Sequence, residues 1–355
     1  MHQASKRARE IHLVSRPSGV PANDNFKLIE VDLPDRAEGQ IQVKNLCMSL
    51  DPYMRPRMDL GDSYVAPFAL NEALEAQAIG VVVASRHSAW QEGDVLSSFQ
   101  GWRDYFVVDG NAEHPEVSED ASEFDLMRAT LMRLPDTALD PALYLGPLGG
   151  VGLSAYVGLK GVGQMKGGQT VFITGAAGGV GHLAGQIAKI HGCRVIGSAG
   201  SDAKCEFLRN TCGFDDAFNY KTSDADAALS AFAPEGFDIF FDNVGGDITG
   251  TALNHMRRFG RVVVCGMIAD YNTDDSPVLK NYFQLVASEL TMRGFVATSL
   301  IEEFPEWISE MVSWLECGEI HFERTEYQGL ESSVKAFQGL FQGDNTGKLL
   351  VRLAD

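Results

Sequence analysis

The stretch FITGAAGGVGHLAGQIAKIHG, residues 172–192, constrains the fold of this chain more than any other. An apolar strand from Thr170 to Ile173 runs into a glycine-rich turn, and a helix follows directly. Because glycine has no Cβ, such a turn can tighten and let backbone N–H groups approach a pyrophosphate at the helix N-terminus. A glycine-rich turn alone could be a simple strand-to-helix connection. Between this strand and this helix, it predicts that a dinucleotide phosphate is bound by Gly175, Ala176, Ala177, Gly178, Gly179, Val180 and Gly181.

The order of apolar runs along the chain predicts two domains. The first third contains short runs rich in β-branched residues and broken by proline and glycine, such as KLIEVDLP, AIGVVVAS and WRDYFVVD, which predict a mostly antiparallel β domain. From about Leu145, strands and amphipathic helices alternate, which predicts a doubly wound parallel sheet that binds ligands at the carboxyl ends of its strands. The run FPEWISEMVSWLECG predicts a closing helix, and the terminal KLLVRL predicts a strand returning to the first domain. The predicted fold class is α/β, with a Rossmann domain beside a mostly β domain.

Charge and composition exclude several function classes. The formal net charge of −19 disfavours nucleic acid and anionic membranes as partners, since both are negatively charged. The N-terminal stretch lacks the apolar segment of a signal peptide, and no apolar run is long enough to span a bilayer, so we expect a cytoplasmic protein. The six cysteines form no CxxC pair and the eight histidines no HxxxH or HxH group, so no metal site is predicted.

The glycine-rich turn Gly175–Gly181 is called the phosphate loop below. The strand that follows it, in CRVIGSAGSDAK, predicts which dinucleotide is bound. A site that prefers NAD places a carboxylate here for the ribose 2′-hydroxyl. This strand ends instead in the small residues Gly200 and Ser201, and Lys204 follows in the first turn of the next helix. Asp202 complicates the pattern, although a carboxylate in a first helical turn can face away and complement the helix dipole. The residues favour NADP(H), and the alternative is that Lys204 is an ordinary surface lysine.

The stretch SLDPYMRPRM raises a separate question about Tyr53. Pro52 and Pro56 prevent a regular helix or central strand, so the phenol is carried on a stiff loop. An isolated tyrosine in such a place is more often a packing residue than a catalytic one. The rest of the chain therefore has to decide between these two interpretations.

Several stretches together resemble the medium-chain dehydrogenase/reductase family, in its zinc-free branch of prostaglandin, alkenal and curcumin reductases. They occur in the family's order between Asn45 and Lys348, which is nearly the whole chain. The matching stretches are NLCMSLDPYMR, GLSAYVGL, GAAGGVG, QIAKIHGCRVIGSAGSDAK, FNYKT, FDNVGG, GRVVVCGMIADYN and GDNTGK.

The resemblance implies a GroES-like catalytic domain at residues 1–138 and 317–355, a Rossmann domain at residues 139–316, a nicotinamide in the cleft between them, and a homodimer. Pro52 and Tyr53 would edge the nicotinamide, and Gly200, Ser201, Lys204 and Tyr220 would bind the adenosine phosphate end. The remaining pocket residues implied by position are Asn243, Cys265, Tyr271, Phe295, Val296, Ala297 and Asn345. Taken singly, such residues are also typical of strand ends and turns.

The zinc-dependent members of the same superfamily are the obvious competitor. They carry a cysteine three residues before an aspartate in the first catalytic loop, and a GHE motif before a glycine-valine strand. Here Met48 precedes Asp51, and Glu75, Ala76 and Gln77 precede the strand. Met, Ala and Gln therefore stand where the resemblance would place zinc ligands, which leaves too few donors for a catalytic zinc.

The function hypothesis is NADPH-dependent reduction of the carbon–carbon double bond of a small apolar α,β-unsaturated ketone or aldehyde. Hydride addition to the β-carbon leaves an enolate, whose oxygen needs a hydrogen-bond donor. A phenol that is neutral at pH 7 provides one, so Tyr53 and Tyr271 are the predicted catalytic residues. Two alternatives stay open, namely a quinone oxidoreductase with the same fold and cofactor, and an NADP-binding protein without turnover.

Overall fold

The computed structural model describes residues 3–61, 63–113, 123–136, 139–273 and 278–354. It divides into two units, the first formed by Met1–Leu145, Thr325–Asp344 and Leu349–Asp355, and the second by Gly146–Arg324 and Asn345–Lys348. The domain bounds given by the sequence, at 138/139 and 316/317, remain predictions beside this division. No helix of the described residues is long and apolar enough to cross a bilayer.

Strands and helices follow the predicted change of rhythm along the chain. The strands of the described residues are β1 Arg7–Leu13, β2 Phe26–Asp32, β3 Gln40–Ser49, β4 Ala78–Ser85, β5 Val95–Ser98, β6 Tyr105–Asp109, β7 Met132–Arg133, β8 Thr170–Ile173, β9 Arg194–Ala199, β10 Asp216–Asn219, β11 Phe237–Asp242, β12 Met256–Val264, β13 Thr291–Gly294, β14 Arg324–Gln328 and β15 Lys348–Arg352. The helices are α1 Glu123–Ala129, α2 Gly150–Val157, α3 Gly181–Ile190, α4 Asp202–Asn210, α5 Ala225–Phe232, α6 Gly246–Leu253, α7 Gln284–Ala287, α8 Trp307–Glu316 and α9 Ser333–Gln342.

The first unit is built mainly from antiparallel strands. Its larger sheet has the order β14-β15-β3-β4-β5-β7, with β6 also paired to β3, and β1 and β2 form a separate pair. The C-terminal strand β15 pairs with β3, where Leu350 lies opposite Ser49. The predicted return of the chain to its first domain is therefore present. A buried cluster that includes Met48, Trp102 and Phe337 joins the early strands to α9.

The second unit is a six-stranded parallel sheet with the order β10-β9-β8-β11-β12-β13. The chain starts at the central strand β8, builds one side through β10 and then returns to β11 to build the other side. This reversal between β8 and β11 creates a crevice at the carboxyl ends of the two strands, which is where ligands bind in such sheets. Stacked rings fill the core, with the centroid of Phe172 on β8 lying 5.4 Å from Phe240 on β11. The predicted α/β fold class, a Rossmann sheet plus a mostly β domain, is confirmed.

Candidate functional site

The glycine-rich loop begins where β8 ends and leads directly into α3. Gly175 has a φ of 56°, and the N–H of Gly178 donates to its carbonyl at 2.9 Å. A Cβ on Gly181 would lie 2.5 Å from the same carbonyl oxygen, so α3 can start this close to the loop only with glycine at that position. Within the described residues, the N–H groups of Val180 and Gly181 have no backbone acceptor. These open donors at a helix N-terminus fit a pyrophosphate.

The segment Asn345–Lys348 lies against this loop in the same unit. The N–H of Gly347 donates to the carbonyl of Ala177 at 2.8 Å, and the side-chain amide of Asn345 donates to the carbonyl of Gly347 at 2.8 Å. Gly347 has a φ of 69°, and a Cβ there would lie 2.0 Å from the carbonyl oxygen of Glu323. The predicted Asn345 thus sits in a tight turn that is hydrogen-bonded to the glycine-rich loop.

The crevice between β8 and β11 is fixed by a buried carboxylate that the sequence reading did not single out. Asp242, 1% exposed, accepts hydrogen bonds from the hydroxyl of Thr174 at 2.7 Å and from the N–H of Val244 at 2.9 Å. Asn243 donates through its side-chain amide to the carbonyl of Thr174 at 2.8 Å. Asn243 is thereby held at the strand end where it was predicted. Polar residues at the ends of both central strands, read together, could have indicated Thr174 and Asp242.

Polar side chains gather around Gly200 at the end of β9. A Cβ on Gly200 would lie 3.1 Å from the hydroxyl oxygen of Tyr220 and 3.3 Å from Cε of Lys221. Ser201 caps α4, and its hydroxyl accepts from the N–H of Lys204 at 3.3 Å. Lys221 was not among the predicted cofactor-binding residues, although it directly follows Tyr220 in FNYKT. Gly200 therefore lies directly against the phenol of Tyr220 and the side chain of Lys221, and both side chains carry groups that can donate hydrogen bonds to a phosphate.

Asp202 was the residue that complicated the cofactor prediction. Its carboxylate accepts a hydrogen bond from the side-chain amide of Asn219 at 2.9 Å. Asn219 is buried at the end of β10. Asp202 is therefore engaged in joining α4 to β10, which is a structural role for a carboxylate in the first turn of a helix.

Two predicted residues, Cys265 and Tyr271, lie in the loop that follows β12. Cys265 directly follows the strand, and burial raises the pKa of its thiol to about 12, so it is a neutral thiol at pH 7. The hydroxyl oxygen of Tyr271 accepts from the N–H of Met267 at 3.3 Å. Burial raises the pKa of Tyr271 above its ordinary value. The phenol is thus a protonated side chain that still has its own O–H to donate.

The predicted segment Phe295–Ala297 follows the edge strand β13. The ring of Phe295 lies close to α2, because a Cβ on Gly158 would be 3.0 Å from its Cζ. Val296 precedes a 3-10 turn that begins at Ala297. The three residues are half-buried, so this stretch is packed on the second unit while part of it faces outward.

Tyr53 lies in a 3-10 turn of the first unit, Pro52–Met54, with Pro52 at its first position. Its ring is half-buried and packs edge-on against Phe124 with a centroid distance of 5.9 Å, and Tyr64 packs against the same ring at 5.9 Å. Burial of the phenol raises the pKa of Tyr53 far above its ordinary value, so its hydroxyl stays protonated. Tyr64 was not among the predicted site residues, since only the fold brings residue 64 to this aromatic cluster.

Two arginines, in addition to the two prolines, stiffen the loop that carries Tyr53. Arg55 is buried and pairs with Asp59 at 2.6 Å, so its role is structural. Arg57 is 2% exposed, donates to Glu75 at 2.6 Å and stacks over the ring of Phe68 at 3.9 Å. These contacts hold the segment that directly follows the turn carrying Tyr53.

Comparison with known proteins identifies the family. Residues 9–115 match a family model described as the N-terminal domain of oxidoreductase, and residues 179–314 match one described as zinc-binding dehydrogenase. The chain is 34% identical to a 2-alkenal reductase (NADP(+)-dependent) of Nicotiana tabacum, over 98% of this chain and 97% of that protein. It is 33% identical to an NADPH-dependent curcumin reductase of Escherichia coli K12, over 100% and 99% of the two chains. The chain belongs to the medium-chain dehydrogenase/reductase family.

A solved structure of this family agrees with both the fold and the family assignment. CurA of Vibrio vulnificus in complex with NADPH is 34% identical, with a TM-score of 0.88 over 98% of this chain and 99% of that chain. The resemblance to the medium-chain dehydrogenase/reductase family stated from the sequence is therefore confirmed. The similarity extends over both units and is not limited to the phosphate loop.

The positions where zinc-dependent members of the family would carry ligands have other roles here. Met48 is fully buried, and its sulfur accepts from the N–H of Trp102 at 3.0 Å. Cys47, the neighbour of Met48 in the chain, is buried in an apolar cluster with Ile79 and Leu350. Gln77 donates to the carbonyl of Tyr144 at 3.3 Å. Across the described residues, no group of three or more His, Cys, Asp or Glu side chains is placed to hold a metal ion.

Proposed function

We propose that this protein binds NADP(H) and reduces the carbon–carbon double bond of an α,β-unsaturated ketone or aldehyde. The observation that carries the proposal is that the hydroxyl of Tyr220 and the side chain of Lys221 lie beside Gly200, in a chain that also has open loop donors at Val180 and Gly181. The glycine-rich loop is linked to the end of β9 that leads to Gly200, because the N–H of Ala176 donates to the carbonyl of Ser198 at 3.0 Å. Relatives over nearly the full chain are named alkenal and curcumin reductases that use NADP(H).

The contribution of this chain to the reaction is to bind, orient and stabilise. NADPH, when bound, supplies the hydride that adds to the β-carbon of the substrate. The electron pair of the carbon–carbon double bond then forms a new double bond between the α-carbon and the carbonyl carbon, and the π pair of the carbonyl moves to its oxygen. This enolate oxygen needs a hydrogen-bond donor. Tyr53 and Tyr271 carry protonated phenols and are assigned this role, with water supplying the proton to the α-carbon. The saturated product keeps its carbonyl group, and the balance is one hydride and one proton per double bond.

The test is NADPH consumption by the full chain with alkenals, aryl enones and quinones, repeated with NADH. The expected result is turnover with an enone or alkenal, a product that retains its carbonyl group, and a preference for NADPH. Turnover with quinones alone would replace the proposal by a quinone oxidoreductase. Binding of NADPH without turnover of any compound would replace it by a cofactor-binding protein that lacks catalysis.

Lys204 and Lys221 are proposed to set the preference for the 2′-phosphate. Each of the variants Lys204→Gln and Lys221→Gln should raise the Kd of NADPH by about tenfold, because a charged hydrogen bond to the phosphate is lost. The Kd of NADH should stay within about twofold, since NADH has no such phosphate. Fluorescence titration of both cofactors checks this, with Lys166→Gln as a control at an exposed lysine elsewhere in the second unit. An equal loss of NADH affinity would contradict the assignment.

The homodimer implied by the family is proposed to form through the edge strand β13. Next to it in the chain are apolar side chains that are 68–75% exposed, namely Val278, Tyr282, Phe283 and Val286. In the described part of the second unit β13 pairs with β12 alone, so a second copy could continue the sheet and cover this apolar surface.

The assembly can be measured by sedimentation or light scattering on the full chain. The wild-type chain should be a dimer, and Phe283→Glu should shift it towards the monomer, because a carboxylate would be buried in the contact. Leu60→Glu, at a residue of the first unit that is 78% exposed, should leave the dimer intact. A monomeric wild-type chain, or a Phe283→Glu variant as dimeric as the wild type, would rule out this surface.

A further inference from the structure

His182 is a fully buried histidine at the start of α3, directly after the phosphate loop, and the proposed reaction does not use it. Its Nδ1 lies 2.7 Å from the carbonyl oxygen of Gly178, which can only accept, so Nδ1 carries the proton and donates. The N–H of Glu323 points at Nε2 from 3.4 Å, so Nε2 accepts. Burial lowers the pKa of His182 to about 4, in agreement with this neutral tautomer at pH 7.

The surroundings of the ring leave it little freedom. The ring of Phe322 stacks on it with a centroid distance of 6.3 Å and an interplanar angle of 22°, and Phe207 lies 6.3 Å away on a tilted plane. One helical turn later, the side-chain amide of Gln186 donates to the carbonyl of His321 at 2.9 Å. His182 and Gln186 therefore fasten the residues around Glu323 to one face of α3.

These contacts close a circuit of hydrogen bonds around the phosphate loop, all within the second unit. The carbonyl of Glu323 accepts from the N–H of Lys348 at 2.9 Å, and the neighbouring Gly347 donates its N–H to the carbonyl of Ala177 at 2.8 Å. The chain of contacts thus runs from the Gly178 carbonyl through His182 and Glu323 to Lys348, and the neighbouring Gly347 connects it to the Ala177 carbonyl. Two successive carbonyls of the loop are tied to protein donors by this arrangement.

The two tied carbonyls matter for an anionic ligand. A carbonyl oxygen that turned towards a pyrophosphate would repel it, whereas the open N–H groups of Val180 and Gly181 attract it. We infer that His182 is a positioning residue for the pyrophosphate. Its ring adds a second hydrogen bond to the Gly178 carbonyl, which also accepts from the backbone N–H of His182 at 3.2 Å, and it anchors the segment that holds the Ala177 carbonyl. This inference rests on the proposed binding of NADP(H).

Three substitutions separate the two contacts of the ring. His182→Asn keeps a donor at the position of Nδ1 and loses the acceptor, His182→Gln moves its amide to the position of Nε2, and His182→Phe keeps the ring volume and loses both. The Kd values of NADPH, NADH and adenosine 2′-monophosphate are measured on the full chain below its unfolding temperature. The third ligand has the 2′-phosphate and lacks the pyrophosphate, so it reports on the groups beside Gly200 and not on the glycine-rich loop.

His182→Phe should raise the Kd of NADPH and of NADH by the same factor, about tenfold, and leave the Kd of adenosine 2′-monophosphate within about twofold of the wild type. His182→Asn should stay within about threefold for all ligands, because the Gly178 contact is retained. If His182→Phe does not fold, His182→Gln must bind NADPH more weakly than His182→Asn.

Three results would overturn the inference while the proposed function stands. They are unchanged NADPH binding by His182→Phe, an equal loss for all three ligands, and equal binding by the Asn and Gln variants. A wild-type chain that does not bind NADPH would overturn the proposed function itself, and the inference with it.

Discussion

Replacing Tyr53 or Tyr271 by phenylalanine should lower kcat by about 100-fold for an enone substrate, because each variant removes a hydrogen-bond donor assigned to the enolate oxygen. Since this interaction strengthens only as negative charge develops, KM should change little and the loss should appear equally in kcat and kcat/KM. The rate should not fall to zero, because the remaining phenol and the bound cofactor still act. Steady-state kinetics with NADPH held at saturation measure the effect.

The pH dependence gives an independent check of the same assignment. The active form of each phenol is the protonated one, and burial raises the pKa of both Tyr53 and Tyr271 above the ordinary value of 10.0. Phenol ionisation should therefore not reduce kcat as the pH rises from 7 to 10, and a loss from this cause should begin only above that range. A decline of kcat below pH 9 that disappears in a Tyr→Phe variant would contradict a protonated donor.

Tyr64 is the matched comparison for Tyr53. It packs on the same Phe124 ring at the same centroid distance, and its side chain is 48% exposed. Tyr64→Phe keeps this packing and removes a hydroxyl that has no assigned role in stabilising the enolate. Its kcat should stay within about threefold of the wild type, and a loss as large as that of Tyr53→Phe would mean that Tyr64 shares the role.

The parts of the site that follow from local sequence could be predicted, because a strand, a glycine turn and a helix determine their own geometry. The loop Gly175–Gly181 and the carboxyl ends of β9 and β11 are of this kind. Asn345 could be assigned only through the family resemblance, since 164 or more residues separate it from the loop and only the fold brings the two together. Lys221 could have been found, because it is the next residue after Tyr220.

The residues that the sequence did not indicate act through contacts distant in the chain. Nothing in the sequence separates Asp242 from the other aspartates. Its role follows from the pairing of β8 with β11, which brings the hydroxyl of Thr174 within hydrogen-bond distance of its carboxylate. His182 is indistinguishable in the sequence from a histidine on an ordinary helix. Its inferred role depends on the contact between its Nε2 and the N–H of Glu323, which only the fold creates. Periodicity reports which face of an element is buried, and it contains no information about which backbone group a buried polar side chain will meet.

Gly181→Ala should weaken cofactor binding strongly, because the added methyl group would clash with the backbone of the glycine-rich loop. The added Cβ would lie 2.5 Å from the carbonyl oxygen of Gly175 and 2.7 Å from Cα of Ala176, and neither backbone atom can move away without moving the loop. A displacement of about 1 Å is enough to misalign the N–H groups of Val180 and Gly181, so the Kd of NADPH and of NADH should each rise by about 100-fold. The overpacked helix start should also lower the free energy of unfolding by about 1–3 kcal/mol.

Gly150→Ala is the control for this substitution, because a Cβ at that position meets nothing within 4 Å and the residue opens a helix in the same unit. It should bind both cofactors like the wild type and unfold at the same denaturant concentration or slightly above it. Since the clash at Gly181 involves the backbone, no side-chain change nearby should restore cofactor binding in Gly181→Ala. The loss of binding in His182→Phe is different, because it arises from a side-chain contact that the amide of asparagine can replace. Gly181→Ala binding NADPH with wild-type affinity would show that the loop adjusts freely, and the pyrophosphate would then have to be held by groups other than this loop.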